Sequence, residues 1–321
     1  MEFRRLGQTG LKVSTICLGT MQFGWTADEE TSHELLDEAV ELGCNFIDTA
    51  DIYSSWSEGN HGGESETIIG RWLSGTSVNR QNLVVATKIR GKMGEGPNDQ
   101  GLSRQHILYG VDESLKRLQT DYIDLYQVHW PDRETQLEET LGALDDLVRT
   151  GKVLYIGCSN YPAWLLAKSL WISDINNLSR FDSVQPHYSL VHRSEFEREL
   201  QPLCIDQGIG VIPYSPLGAG FLTGKYSRDK SLPESARASG VKSRFMNEEG
   251  FNILDQVKLV AEAHSVELPQ VAIAWILANP SVDSAIIGAN SKEQLIATMA
   301  GADLRLSEEE IEALNQVSAW K

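Results

Sequence analysis

Asn45-Phe-Ile-Asp48-Thr-Ala-Asp51-Ile-Tyr53 reads as a short apolar strand giving way to a loop, with groups capable of acid–base chemistry placed where the strand ends. Three later apolar runs finish in the same way: Leu83-Val-Val-Ala-Thr-Lys88, Ile123-Asp-Leu-Tyr-Gln-Val-His129 and Val153-Leu-Tyr-Ile-Gly-Cys-Ser159-Asn160. In a closed barrel of parallel strands every C-terminal strand end opens onto one face. The stretch therefore predicts an α/β protein with a (β/α)8 TIM barrel, in which Asp48, Tyr53, Lys88 and His129 meet although they are far apart in sequence.

Outward from this stretch, strand-like runs alternate with amphipathic ones, the pattern of parallel βαβ units. A helix over residues 30–42 places Leu35, Leu36, Ala39, Val40 and Leu42 on one side and stops at Gly43, a residue suited to the turn that ends helices. Strand 46–48 follows. The alternation continues with helix 64–73 and strand 83–88, helix 103–118 and strand 123–129, and helix 136–150 and strand 153–159. Next come helix 164–175 and strand 183–187, helix 195–207 and strand 209–214, then helices within 252–278 and strand 282–287. A first strand at 14–18 makes eight, as one barrel domain over residues 1–321 requires. Helices at 292–299 and 307–317 close the chain. Gly7-Gln-Thr-Gly10, between Phe3-Arg-Arg-Leu and Leu11-Lys-Val, predicts an N-terminal β-hairpin that plugs the barrel floor.

One connection is out of proportion. From Leu217 to Met246, after the seventh strand, about thirty residues stand where two to six are usual. Six are basic (Lys225, Arg228, Lys230, Arg237, Lys242, Arg244) and two acidic (Asp229, Glu234) in a chain whose net charge is −17. An anionic ligand is the simplest reason. Such a long loop is also expected to be mobile until that ligand orders it.

The 28 basic and 45 acidic residues oppose binding to nucleic acid or to an anionic membrane, since both need clustered positive charge. No run of about twenty apolar residues and no apolar leader occurs, so a cytoplasmic protein is expected. Cys17, Cys44, Cys158 and Cys204 are scattered in apolar runs without Cys-x-x-Cys spacing, which predicts buried free thiols and no metal site.

A phenol has an ordinary pKa near 10, so Tyr53 needs a neighbouring cation if it is to give up a proton. One ammonium at about 4 Å supplies roughly 4 kcal/mol of gross attraction at an effective dielectric near 20. Lys88 would supply it, Asp48 would hold the ammonium in place, and His129 would hydrogen-bond a substrate oxygen and orient it toward Tyr53. Each residue alone has an ordinary structural explanation, but four at successive strand ends do not.

Further motifs accompany the four in order: Leu18-Gly-Thr20-Met21, Gly157-Cys-Ser159-Asn160, Val184-Gln185-Pro-His-Tyr188, Pro213-Tyr214-Ser215-Pro216-Leu217 and Ile287-Gly288-Ala-Asn-Ser-Lys-Glu-Gln294-Leu. Together they resemble the aldo-keto reductases from end to end, and best the bacterial and plant branch related to the potassium-channel β subunits. The resemblance implies NADPH-dependent reduction of small aldehydes or ketones to alcohols with Tyr53 as general acid. Its alternative is a cofactor-binding regulatory or redox-sensing subunit. The resemblance further implies that Ser159, Asn160 and Gln185 bind the nicotinamide carboxamide, that Tyr214 stacks on the ring, and that Thr20, Met21 and Asp48 lie beside the ribose. Ser215, Leu217, Gly218, Gly220 and Lys225 would fold over the pyrophosphate, the two glycines letting backbone amides approach phosphate. Arg237 would contact the adenosine phosphate, and Gly288, Asn290 and Gln294 the adenine end. Relatives carry Asn where this chain has Thr298, and Arg or Lys near Asn290 and Ser291. Arg237 and Lys292 remain to serve a 2′-phosphate, so NADP is favoured over NAD. Trp25, Trp56 and Trp130, in loops after the first, second and fourth strands, are expected to wall a pocket for planar or apolar carbonyl compounds.

Overall fold

Phe3–Arg5 (β1) and Lys12–Ser14 (β2) pair as an antiparallel hairpin in the computed structural model, which describes residues 1–228 and 231–320. Asp229 and Lys230, two charges of the basic segment, lie outside the described residues. The remaining strands are Ile16–Gly19 (β3), Phe46–Asp48 (β4), Val84–Ile89 (β5), Ile123–Val128 (β6), Val153–Ser159 (β7), Ser183–Gln185 (β8), Gly210–Val211 (β9) and Ala285–Ile287 (β10). All eight are parallel, in the order β10-β3-β4-β5-β6-β7-β8-β9. The sheet curls until its edges meet. Tyr214 bridges Ile286, and the Ile286 amide donates to the Pro213 carbonyl at 2.9 Å.

Helices Glu29–Glu41 (α1), Glu64–Gly75 (α2), Arg104–Leu118 (α3), Leu137–Arg149 (α4), Ala163–Asn176 (α5) and Gln201–Gln207 (α6) alternate with the strands. Ala238–Phe245 (α7), Glu248–His264 (α8) and Leu268–Ala278 (α9) precede β10, and Lys292–Met299 (α10) and Glu308–Val317 (α11) follow it. Their ends are set locally. The Asp28 and Ser103 side chains accept the Thr31 and His106 amides, Ser307 and Glu310 form a reciprocal capping box, and Gly43, with φ of 88°, follows α1.

Period-two alternation sorts each strand. Cys17, Phe46, Val84, Ala86, Leu125, Ile212 and Ile286 fill the barrel interior, joined at its floor by Leu6 and Val13 of the hairpin, as the sequence predicts. Leu18, Ile47, Val85, Tyr126, Val128, Ile156 and Val184 face the helices. All four cysteines are buried and free.

Three differences from the sequence reading have local causes. The sixth and seventh barrel strands, predicted to reach His187 and Tyr214, stop at Gln185 and Val211 because Pro186 and Pro213 have no N–H for the ladder. Single bridges nevertheless carry the chain on to His187 and Tyr214. The helix predicted over 195–207 splits into a π-turn at Phe196–Leu200 and α6, with Pro202 at the junction. The long connection is not structureless: it holds a 3₁₀ turn, Gly218–Thr223, and α7. Phe221, Leu222, Tyr226, Val241 and Phe245 bury it against the core.

Candidate active site

Two residues beyond Phe46, Ala86 and Leu125, on the same inward faces, stand Asp48, Lys88 and Gln127. The interior thus turns polar just where the strands end. Lys88 is fully buried, and its ammonium donates to Asp48 Oδ2 at 2.5 Å, the Thr49 carbonyl at 2.8 Å and Tyr53 Oη at 2.9 Å. Its three N–H groups have three acceptors. Burial is the largest single influence and works against the charge, but Asp48 and Tyr53 together outweigh it and hold the Lys88 pKa above the ordinary lysine value.

Tyr53 feels opposing influences. Burial raises its pKa above the ordinary phenol value, Lys88 pulls it down, and Asp48 pushes it up again. Lys88 is thus not the only influence on the phenol, and burial, the largest, keeps it protonated at neutral pH. That is the form a proton donor needs. The His129 ring stands edge-on to Tyr53 with centroids 5.7 Å apart. Burial first, then Lys88 and Arg90, hold its pKa well below the usual histidine range, so the imidazole is neutral at pH 7. A neutral imidazole can donate one hydrogen bond to a substrate oxygen without carrying charge.

Around this centre the nominated cofactor residues are hydrogen-bonded to one another. Asn160, at φ of 61°, donates to the His129 carbonyl at 2.9 Å and accepts from Tyr214 Oη at 2.9 Å. Ser159 Oγ donates to the Gln185 carbonyl, and Thr20 Oγ1 to the Asp48 carbonyl. Met21 is half-buried beside Thr20 in sequence. Gln185 Nε2 faces inward, donating to Asp48 Oδ1 at 2.8 Å and to Gln127 Oε1 at 3.1 Å. Gln127 itself donates to Asp48 Oδ1 at 2.9 Å and was passed over by the sequence reading. Its signal was alternation: Leu125, Gln127 and His129 fall on one face of the run that ends in His129.

Ser215, Gly218, Ala219, Gly220 and Gly224 all have positive φ, from 55° to 92°, a run of left-handed turns in which the Gly218, Gly220 and Gly224 amides donate to the Ser215, Leu217 and Phe221 carbonyls. A Cβ on Gly220 would come within 3.3 Å of Lys225 Nζ. Among the described residues no carboxylate pairs with Lys225 or Arg237. Burial lowers the pKa of both, and mutual repulsion adds to it, from Arg237 on Lys225 and from Arg244 on Arg237. Half-buried Leu217 lies between Ser215 and Gly218. At the end of β10, Gly288, Asn290 and Gln294 are exposed; the Asn290 amide donates to Gln294 Oε1, and a Cβ on Gly288 would come 2.7 Å from Gln22 Nε2. Lys292 is engaged elsewhere, with Glu38 at 2.5 Å.

The tryptophans flank the tetrad. Trp25 and Trp56 meet edge to face at 5.6 Å, Trp56 lies 6.3 Å from Tyr53, and Trp130 stacks on His129 at 6.3 Å. Asn60 Nδ2 donates to the Gly24 and Ser54 carbonyls, stapling together the two loops that carry Trp25 and Trp56.

A family model described as the aldo/keto reductase family matches residues 15–319. The chain belongs to the aldo/keto reductase family. It is 39% identical to an uncharacterized oxidoreductase, YrpG, of Bacillus subtilis, over 99% of this chain and 96% of that one. It is 37% identical to versiconal hemiacetal acetate reductase of Aspergillus parasiticus, over 98% and 96% of the two chains. A probable voltage-gated potassium channel subunit beta of Arabidopsis thaliana is 34% identical, over 95% and 92%. Oxidoreductases and channel subunits together mark the branch that the motifs resemble. Members of this family are oxidoreductases that use nicotinamide cofactors, usually NADP(H), on small carbonyl compounds. Among the described residues of this family member no helix is long and apolar enough to cross a membrane.

Proposed function

We propose that the protein reduces aldehydes or ketones to alcohols with NADPH, Tyr53 supplying the proton. The observation that carries this reading is the buried Lys88 ammonium, in hydrogen-bond contact with both Asp48 and Tyr53. The residues present fit the cofactor: the left-handed turns from Ser215 to Gly224 and Lys225 and Arg237, which have no carboxylate partner among the described residues, suit its phosphates, and Tyr214, Ser159, Asn160 and Gln185 lie beside the tetrad. Bound there, NADPH would supply the hydride. Tyr53 Oη passes its proton to the carbonyl oxygen as that oxygen gains charge, and Lys88 stabilises the phenolate left behind. Asp48 keeps the ammonium in register. Neutral His129 donates a hydrogen bond to the same oxygen, and the tryptophan walls hold a planar or apolar substrate out of water.

NADPH is favoured over NADH on the strength of Arg237; Lys292, committed to Glu38, adds little. The similarity to channel β subunits supports a second reading, a cofactor-binding regulatory subunit. Steady-state assays with a series of aromatic aldehydes and each reduced cofactor separate the two. Sustained NADPH consumption matched by alcohol formation is the expected outcome. A single stoichiometric burst with no further turnover across the series would favour the regulatory reading.

A further inference from the structure

Proton transfer in the scheme above uses Asp48 only through Lys88, yet the Asp48 carboxylate has a second oxygen, and that oxygen is held by two amides. Oδ1 accepts from Gln127 Nε2 at 2.9 Å and from Gln185 Nε2 at 2.8 Å. An ionised carboxylate only accepts, so both glutamines must turn their NH₂ groups toward it. The second hydrogen of the Gln185 amide reaches Gln127 Oε1 at 3.1 Å, which closes a triangle. Neither amide can flip without leaving buried polar atoms unpaired. Gln127 stands on β6 with its Cα paired to Lys88 on one side and Gly157 on the other, and its side chain is fully buried. A Cβ on Gly157 would press to 3.3 Å from Gln127 Cγ, so the small residue there gives the side chain its room.

We propose that Gln127 is a positioning residue for proton transfer: with Gln185 it clamps Asp48 Oδ1, so that only Oδ2 faces Lys88 and the ammonium stays on Tyr53. Without this clamp the carboxylate is free to rotate and to draw the ammonium toward both of its oxygens. Lys88 then gives less help to the phenolate, and Tyr53 becomes harder to deprotonate. The Gln127 amide also fixes the orientation of the Gln185 side chain, leaving its Oε1 as the atom free to meet a ligand. The inference rests on the reading of Tyr53 and Lys88 as the proton-transfer pair.

Its test is the pH profile of alcohol oxidation at saturating NADP⁺ for wild type, Gln127→Met, Gln127→Glu and Lys88→Met. Methionine keeps the volume and removes the donor. For Gln127→Met the expected result is a kcat lowered about five- to thirtyfold, as befits one lost buried hydrogen bond, and an alkaline limb moved upward by about half a pH unit or more. Gln127→Glu sets a second carboxylate beside Asp48 and should move the limb further in the same direction. A Gln127→Met enzyme that is slower but keeps the wild-type limb, while Lys88→Met moves it, would reduce Gln127 to a packing role and overturn the inference alone. A limb unmoved in Lys88→Met would instead remove the underlying reading, and the inference with it.

Discussion

Asp51, between Asp48 and Tyr53, is buried; one of its oxygens takes the Ile52 amide at 2.6 Å and the other has no hydrogen-bond partner among the described residues. Burial, reinforced by the Glu66 carboxylate, pushes its pKa from 3.8 up to about 7. Because folding raises this pKa, the native state keeps a proton that the unfolded chain loses between those values. The associated stability is fully present below about pH 4 and disappears as pH rises through 7. Asp51→Asn abolishes the titration. Relative to wild type the variant should gain about 2 to 3 kcal/mol in unfolding free energy between pH 5 and pH 8, measured by urea denaturation at both. A difference that does not change with pH would mean that Asp51 is charged throughout. At this scale the sequence was unevenly legible. The tetrad announced itself by residue type at strand ends, and Gln127 was available from alternation. Nothing in the run Asp48-Thr-Ala-Asp51 distinguishes a carboxylate that meets a lysine from one buried beside another carboxylate.

The basic segment is the element on which the proposed preference for NADPH rests. Its helix α7 was legible in principle, since Ala238, Val241 and Phe245 recur at helical spacing and are the residues it buries. Flanking charges and Gly240 masked that pattern, and the segment read as loop. The same anchoring leaves Arg237 half-buried near Lys225 with no carboxylate partner among the described residues, a guanidinium suited to bidentate contact with a phosphate. Arg237→Ala should weaken NADPH binding about ten- to a hundredfold and barely change NADH binding. Titrations by quenching of tryptophan fluorescence, one for each cofactor, measure this. Equal losses for both would take Arg237 away from the 2′-phosphate, and no loss for either would take the segment away from the cofactor. Elsewhere the misread element ends share one cause: Pro186, Pro202 and Pro213 each remove a backbone donor, which residue patterning does not register.

On the scale of the whole molecule, the barrel was the most legible feature, because eight parallel strands impose a repeat on composition that survives errors at individual boundaries. What the repeat could not supply was how far burial would oppose charge at the centre. That balance follows from packing, as the raised Tyr53 pKa illustrates, and not from the presence of Lys88 alone. The central claim is that the fold brings Asp48, Lys88 and Tyr53 together so that one phenol serves as acid. Single-turnover reduction of an aromatic aldehyde by prebound NADPH, compared between wild type and Tyr53→Phe, tests it most directly. The hydroxyl is the only group removed, so the rate should fall about 10²- to 10⁴-fold while NADPH affinity stays within a few-fold. A Phe variant that retains more than about a tenth of the wild-type rate would contradict the assignment of Tyr53 as the proton donor.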